Sequence, residues 1–181
     1  MCSNNLEDDK FNEITFLDVL NIYQNLNLIK EPKIPFPQSD NFEIFVTICE
    51  KIYECEKLSR DEIMKIFDIR PRQYSFYISA GNYLGLFKKE KVTNIYLSNN
   101  GRGIFSLNDK QKKLALVKLI LQHKPFYDVF TVYLDHFVVP DTNDIFLILK
   151  KSELYNINSD VTLKRRYTTV KNWINWIVNL Y

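Results

Sequence analysis

The stretch SDVTLKRRYTTVKNWINWIVNLY, residues 159–181, joins a cationic first half to an apolar second half. Its apolar side chains recur at the spacing of one helix face, and Ser159 or Asp160 can cap the helix start. The pattern predicts one long terminal helix, in which Trp173 and Trp176 widen the buried face. The basic and hydroxyl side chains expected on the outer face are Thr162, Lys164, Arg165, Arg166, Thr168, Thr169 and Lys171.

Cations at the start of a helix oppose its dipole, which favours anions there. An external polyanion would remove this conflict. The phosphate backbone of DNA is the obvious candidate, because Arg and Thr side chains can also reach base edges in a groove. A solvated basic face on an ordinary terminal helix explains the same charge run, so both interpretations stay open.

The composition indicates a helical globular protein. The chain has 181 residues and is 46% hydrophobic, and its four glycines against 13 phenylalanines suggest few tight turns. It has no apolar run of the roughly 18 residues that a membrane helix needs, and no signal peptide at its start, so we expect a cytoplasmic protein without membrane contact. Residues 1–59 carry 5 Lys/Arg and 11 Asp/Glu, whereas residues 60–181 carry 19 and 11. An acidic polymer would bind the second part.

An N-terminal arm is expected over residues 1–39. Its first 12 residues are polar and are expected to fray. Apolar residues then recur at helical spacing from position 14 to 28, and three prolines within residues 30–40 forbid a further helix. The helix either packs on the rest of the chain or docks on another protein.

The segment 40–106 begins with two helices. A strong apolar repeat predicts a helix over residues 41–54, with Asp40 as its cap. Ser59 and Glu62 then form a capping-box signature before a short apolar helix.

A third helix and a hairpin follow. Pro71 suits the first turn of the helix, and Gly85 ends it. Two β-prone runs, residues 86–88 and 94–97, flank the charged stretch KEKV and predict the hairpin. Helix, short helix, turn, longer helix and hairpin is the order of a winged helix-turn-helix, so we predict a mostly α fold with a small β-hairpin.

The helix at Pro71 takes the recognition position of this motif. The side chains that we expect to be exposed on this helix, all of types that bond phosphates or base edges, are Arg70, Arg72, Gln73, Ser75, Tyr77 and Asn82. A three-helix module with a hairpin can equally bind protein, and this alternative stays open.

Residues 107–181 repeat the order of elements without a wing. Helix starts are indicated at Asn108 or Asp109, at Pro125, and at Asp141 or Asn143. The terminal helix then takes the recognition position. We therefore predict a tandem winged helix-turn-helix, with the second unit lacking its wing.

Two motifs carry a resemblance to a known family. The first is R-Q-x-x-F-Y-x-x-A-x-x-Y-L-G-L over residues 72–86 with Y-L-S-x-x-G over residues 96–101, and the second is TLKRRYTTVKNWINWI over residues 162–177. The sequence resembles, over about residues 40–180, the tandem winged-helix DNA-recognition region of type II restriction endonucleases and related bacterial proteins. The resemblance implies a non-catalytic bacterial or phage module that recognises double-stranded DNA, as in a restriction system.

By position, the resemblance assigns DNA contacts to both recognition helices. The combined DNA-binding candidates are Arg70, Arg72, Gln73, Tyr77, Thr162, Lys164, Arg165, Arg166, Thr169 and Lys171. The acidic N-terminal arm has no counterpart in the family. It suggests a protein partner, and a protein-interaction module or an inhibitor of a nucleic-acid-processing complex is therefore the alternative function.

The sequence shows no catalytic motif. A restriction nuclease binds Mg²⁺ through carboxylates and a lysine in a PD…(D/E)xK pattern. Pro140 and Asp141 supply the first half without the second, and Asp8-Asp9-Lys10 supplies only the second half. We therefore expect a binding protein and not an enzyme. A third possibility is a detached specificity domain, whose nuclease lies on residues absent from this sequence.

Histidines and cysteines do not form a metal-binding pattern either. His123 and His136 lack partners at zinc spacing, and we interpret both as structural histidines. The three cysteines lack CxxC spacing, and we interpret Cys49 and Cys55 as core or near-core thiols. No cofactor is expected.

Overall fold

A computed structural model describes residues 13–88, 94–157 and 159–181 of the chain. The described residues are mostly helical and include a small two-stranded antiparallel sheet, as the sequence predicts. In chain order the elements are α1 (Phe16–Gln24), α2 (Phe42–Glu54), β1 (Leu58–Ser59), α3 (Arg60–Ile66), α4 (Pro71–Tyr83), β2 (Asn94–Ile95), α5 (Asn99–Phe105), α6 (Asp109–Leu121), α7 (Lys124–His136), α8 (Thr142–Lys151), α9 (Asp160–Lys164) and α10 (Tyr167–Val178). The first 12 residues, with Asp8-Asp9-Lys10, and the KEKV stretch lie outside the described residues.

The helix signals around α3 and α4 are confirmed. The Ser59 backbone N–H donates to Glu62 Oε2 at 2.7 Å, and the Glu62 N–H donates to Ser59 Oγ at 3.3 Å. Pro71 occupies the first turn of α4. Gly85 follows the helix with a φ of 68°, a conformation that glycine adopts without strain.

The cap of α2 differs from the prediction. The side chain of Asn41, not that of Asp40, accepts the N–H of Ile44 at 3.0 Å. The Asp40 carboxylate turns to the other half of the chain, where its Oδ1 accepts a hydrogen bond from Thr169 Oγ1 at 2.7 Å. Asp40 therefore connects two distant segments instead of capping its own helix.

Helix α5 was not expected, because Gly101 and Gly103 are poor helix formers. Ser98 caps it by accepting the N–H of Gly101 at 3.0 Å. A Cβ atom at Gly101 would lie 2.5 Å from the carbonyl oxygen of Leu86, so only glycine allows this close approach. In α5, the packing of Gly101 against the Leu86 backbone outweighs the low helix propensity of glycine.

The two predicted β-prone runs meet at one antiparallel bridge beside the two-stranded sheet. Leu97, just after β2, forms an antiparallel bridge with Phe87, so the two β-prone runs lie side by side. Strand β1 pairs antiparallel with β2, with Leu58 opposite Ile95. The segment before α3 therefore joins the same small sheet.

One hydrophobic core joins residues 40–106 with residues 107–181. Trp173 of α10 is fully buried at its centre. Its ring stacks on Phe126 of α7 at 5.1 Å and meets Phe42 of α2 edge-on at 4.8 Å. Helix α1 packs against α6, so this helix lies on the rest of the chain.

The proline-rich linker, residues 30–40, packs against this core, and we name it the strap. Phe36 is buried and meets the ring of Tyr83 edge-on at 5.3 Å. The carbonyl oxygen of Ser39 accepts a hydrogen bond from Trp173 Nε1 at 2.7 Å. The strap therefore fastens α4 to α10.

The prediction of one terminal helix over residues 159–181 is wrong. Helix α9 ends at Lys164, and α10 begins at Tyr167. Between them, the backbone N–H groups of Arg165 and Arg166 donate to carbonyls three residues earlier, at 3.2 and 2.9 Å, which is the tighter 3₁₀ pattern. The tighter turn lets α9 pack on α8 while α10 packs on α2, α7 and α8.

Some apolar side chains within the segments predicted as helices are exposed. Leu17 and Val161 face solvent, as does Tyr53 in the last turn of α2. Cys49 is buried in the core as predicted, but Cys55 is exposed, because it follows the end of α2. Burial raises the pKa of the Cys49 thiol well above its ordinary value.

Candidate functional site

The start of α4 presents three exposed candidates, Arg70, Arg72 and Gln73, which we name the α4 face. Pro71 fixes the first turn, and this turn has no acidic residue. The Oε1 atom of Gln73 accepts the backbone N–H of Arg70 at 2.9 Å. This bond holds the Gln73 amide at the helix start, where its nitrogen can donate to a ligand.

Two guanidinium groups lie over aromatic rings of α4. Arg72 lies over Phe76 at 5.5 Å, and Arg60 lies over Tyr74 at 5.6 Å. Arg60 is exposed and was not among the predicted site residues. The capping box at Ser59 could have indicated it, because this box makes Arg60 the first residue of α3.

The expectation that Tyr77 faces outward is wrong. Tyr77 is 6% exposed and lies with Ala80 and Leu84 on the core side of α4. Burial raises the pKa of its hydroxyl above the ordinary value, and the nearby Asp40 carboxylate acts in the same direction. The face of α4 that carries Arg72 and Gln73 does not include this side chain.

The α9 segment presents a second exposed cationic group. Lys164 and Arg165 are both exposed. The Lys164 Nζ atom lies 5.9 Å from the ring centre of Phe146, and Lys150 Nζ lies 5.7 Å from the same ring. Lys150 also pairs with Asp160 at 3.3 Å. Part of this charge is therefore neutralised within the chain.

Arg166 and Thr169 are buried, contrary to the expectation of an outward face. Arg166 is 7% exposed, and Thr169 is fully buried. Burial lowers the pKa of the Arg166 guanidinium from its ordinary value, Arg165 acts in the same direction, and Asp40 opposes both. The break between α9 and α10 turns these side chains toward the strap.

The remaining two candidates, Thr162 and Lys171, are half-buried. The Thr162 backbone N–H donates to Ser159 Oγ at 3.2 Å, and the two hydroxyls lie 2.9 Å apart. Ser159 is therefore the cap of α9, as one of the two alternatives predicted. Lys171 lies in α10 and is not part of the α4 face.

Three of the predicted residues are buried, and one of them is bonded to the strap. Tyr77 comes from α4, and Arg166 and Thr169 come from the start of α10. The Asp40 carboxylate accepts the Thr169 hydrogen bond and influences the pKa of Tyr77 and of Arg166.

The other end of the strap holds His123. This histidine is 2% exposed and stacks on the ring of Tyr83 at 4.0 Å. Its Nδ1 atom lies 3.4 Å from Glu31 Oε1, and the Tyr83 hydroxyl donates to Glu31 Oε2 at 2.6 Å. Burial raises the pKa of Tyr83 well above its ordinary value, with Glu31 adding to the effect. His123 is therefore part of the packed interior, whereas His136 is exposed.

Asp141 serves a helix start. Its Oδ1 atom accepts the backbone N–H groups of Asn143 at 2.8 Å and Asp144 at 3.0 Å, so it caps α8. The described residues contain no group of three or more His, Cys, Asp or Glu side chains that could hold a metal ion. Within the same ranges, no helix has the length and apolar character needed to span a bilayer.

The chain belongs to the family described as Domain of unknown function (DUF7226), which matches residues 45–181. The matched segment includes the α4 face and the cationic residues of α8, α9 and α10. No curated protein and no solved structure matches the chain.

Proposed function

We propose that this protein binds double-stranded DNA without catalysis and recognises it through the α4 face. The observation that carries the proposal is the exposure of Arg70, Arg72 and Gln73 together at one helix start. Arg and Gln are the side chains best suited to bidentate contacts with guanine and adenine in the major groove. Arg60 lies beside them and suits a phosphate contact.

The order of elements supports this role for α4. Helix α2, strand β1, helices α3 and α4, and then the paired segments around Phe87 and Leu97 follow the order of a winged helix-turn-helix. In that motif the second helix of the turn enters the major groove with its first residues foremost. The exposed candidates lie at this end of α4.

Electrostatics supports an anionic partner. Arg70 and Arg72 lie at the start of α4, and the first turn of this helix has no carboxylate that would occupy its positive end. A phosphate group at this end would gain from the helix dipole and from the neighbouring guanidinium groups. The same residues would steer DNA toward the helix.

The test is a titration of a fluorescent random duplex of about 20 base pairs, long enough for a helix-turn-helix site. Binding should weaken as salt rises from about 0.05 to 0.2 M, with a logarithmic slope of about −0.9 for each phosphate contact. An equally long acidic peptide serves as the control for general charge attraction. Absence of duplex binding at the lowest salt would contradict the proposal.

Recognition in a restriction system is part of the proposal and rests on the sequence resemblance. Selection of tight binders from a random-duplex pool should return one preferred sequence. A pool that shows no enrichment would reduce the proposal to DNA binding without recognition.

A protein-interaction module is the second candidate. The observation that favours it is the exposure of Phe137 and Val138 at the end of α7, at 65% and 68%. Contiguous exposed apolar side chains often mark protein contacts. Salt distinguishes the two candidates, because an apolar protein contact does not need the steep salt dependence of DNA binding.

A further inference from the structure

We propose that the junction of α7 and α8 docks a basic and apolar segment of a second protein. The surface consists of two exposed apolar side chains and three exposed carboxylates. We name it the α7–α8 corner, and its members are Asp135, Phe137, Val138, Asp141 and Asp144. This inference gives the second candidate function a partner of defined chemistry. It does not rest on DNA binding, because the α4 face belongs to another helix.

The apolar part of the corner is anchored on the core. Phe137 is 65% exposed and Val138 is 68% exposed. The ring centre of Phe137 lies 5.9 Å from that of Phe16 in α1 and 6.1 Å from that of Tyr133 in α7. The ring is therefore held in place before a partner binds, which lowers the entropy cost of binding.

The backbone of Phe137 is the second observation. This residue ends α7 in the left-handed region, with φ 53° and ψ 25°. Glycine or asparagine suits this position, whereas a bulky side chain is unfavourable there. The phenylalanine thus costs stability at the backbone, and burial of its exposed ring against a partner would offset that cost.

The charge of this part of the chain is negative. Residues 125–149 contain four aspartates and no lysine or arginine, which gives a formal charge of −4 with His136 neutral. One of the four, Asp128, pairs with Lys124 at 2.7 Å. The other three are exposed and form no ion pair within the described ranges: Asp135, Asp141 and Asp144.

The chain itself keeps these carboxylates near the apolar pair. Asp135 precedes Phe137 by two residues, and Asp141 follows Val138 by three. Their Cα atoms therefore lie within about 11 Å of those of the apolar residues, because an extended chain gains at most about 3.6 Å per residue. On the side of α1, the nearby cation Lys110 is paired with Asp18 at 3.1 Å.

This charge decides which occupant fits the corner. The phosphates of DNA would be repelled. A second copy of the chain would bring the same carboxylates to a two-fold interface. Residues 1–12 carry three carboxylates and one lysine, so they also have the wrong sign. A segment with Lys or Arg beside apolar side chains complements both the centre and the rim.

The test is a selection from a displayed library of random peptides of about 12 residues on the immobilised full chain. The enriched peptides should combine Lys or Arg with an aromatic or aliphatic residue. They should bind Phe137→Gly about tenfold or more weakly than wild type, because the ring is the anchor. Glycine suits the backbone at this position, so the thermal midpoint should stay within about 3 °C of that of wild type.

Matched variants separate the corner from general exposure and general charge. Val161→Ser alters an apolar side chain that is 64% exposed in α9 and should bind the selected peptides as wild type does. Asp135→Asn with Asp144→Asn should weaken binding and its salt dependence. Asp61→Asn with Asp68→Asn removes the same number of exposed carboxylates elsewhere and should leave the affinity nearly unchanged.

Three results would overturn the proposal: no enrichment, enriched peptides without basic residues, or equal affinity of these peptides for wild type and Phe137→Gly. Self-association of wild type that Phe137→Gly abolishes in sedimentation would assign the corner to a second copy and also contradict it. If Phe137→Gly unfolds, Val138→Ser decides, since weaker peptide binding supports the corner and equal binding contradicts it.

Duplex binding is measured on the same proteins. Phe137→Gly should bind a random duplex as wild type does, because the corner is separate from the α4 face. Failure of all duplex binding would contradict the proposed function and leave the peptide result intact. Loss of duplex binding in Phe137→Gly alone would contradict the separation of the two surfaces.

Discussion

The starts of α4 and α10 both carry arginines, and these two helix starts differ in what covers them. At α4, Arg70 and Arg72 face solvent, with the amide of Gln73 held beside them. At α10, Arg166 is 7% exposed and Thr169 is fully buried. An arginine-bearing helix start is therefore an open surface at α4 and a buried polar group at α10, where the strap contacts Thr169 and Trp173.

The strap is fixed by contacts far apart in sequence. Ser39 binds Trp173, and Asp40 binds Thr169. Neither contact could be predicted from hydrophobic periodicity, because this pattern reflects only the spacing of apolar residues along one helix. The difference between the two helix starts is thus a tertiary effect.

The largest expected effect comes from removing the core anchor of α10. Trp173→Ala should lower the free energy of unfolding by about 3–5 kcal/mol, because it deletes a fully buried ring and its bond to the strap. Urea denaturation measures this change. Tyr155→Ala, at an exposed aromatic, is the matched control and should change stability by less than about 0.5 kcal/mol. An unchanged urea midpoint for Trp173→Ala would contradict the placement of this ring in the core.

A smaller loss of stability is expected from a substitution at Gly81, where α4 packs against Phe87. A Cβ atom at Gly81 would lie 2.1 Å from the ring of Phe87, so Gly81→Ala should destabilise the protein by about 1–3 kcal/mol through overpacking. Gly103→Ala is the control, because its Cβ atom would meet no atom within 4 Å and alanine favours helix α5. Thermal unfolding of the two variants should therefore shift in opposite directions. Equal shifts would mean that α4 does not pack as described.

The smallest effect on stability is expected from Gln73→Glu. A glutamate keeps an acceptor for the Arg70 backbone N–H and suits the positive helix end, so stability should change by less than about 0.5 kcal/mol. Duplex affinity should nevertheless fall, because the new charge faces phosphate. Retained affinity would exclude Gln73 from the interface.

The sequence predicted where helices begin and end better than it predicted which side chains are exposed. The capping box at Ser59, the start of α4 at Pro71 and its end at Gly85 follow from local chemistry, and the structure confirms them. Helix α5 was missed because Gly101 is required by contact with Leu86, which local propensity does not contain. Local signals thus located the starts of α3 and α4.

The candidate site was less predictable for the same reason. Arg72 and Gln73 are exposed as expected, but Tyr77, Arg166 and Thr169 are buried. Helical spacing alone could not show that the chain breaks before α10 or that the strap lies over it. A basic run near a helix start indicates an anion partner, but tertiary contacts decide whether its side chains are exposed or buried.

The most direct test compares duplex affinities of three proteins at one low salt concentration. The double variant Arg70→Ala with Arg72→Ala should bind a random duplex about tenfold or more weakly than wild type for each arginine that touches the DNA, with an unchanged thermal midpoint. Lys118→Ala, which removes one exposed cation from α6, should bind nearly as wild type does. Equal affinity of the double variant and wild type would contradict the claim that the α4 face binds DNA.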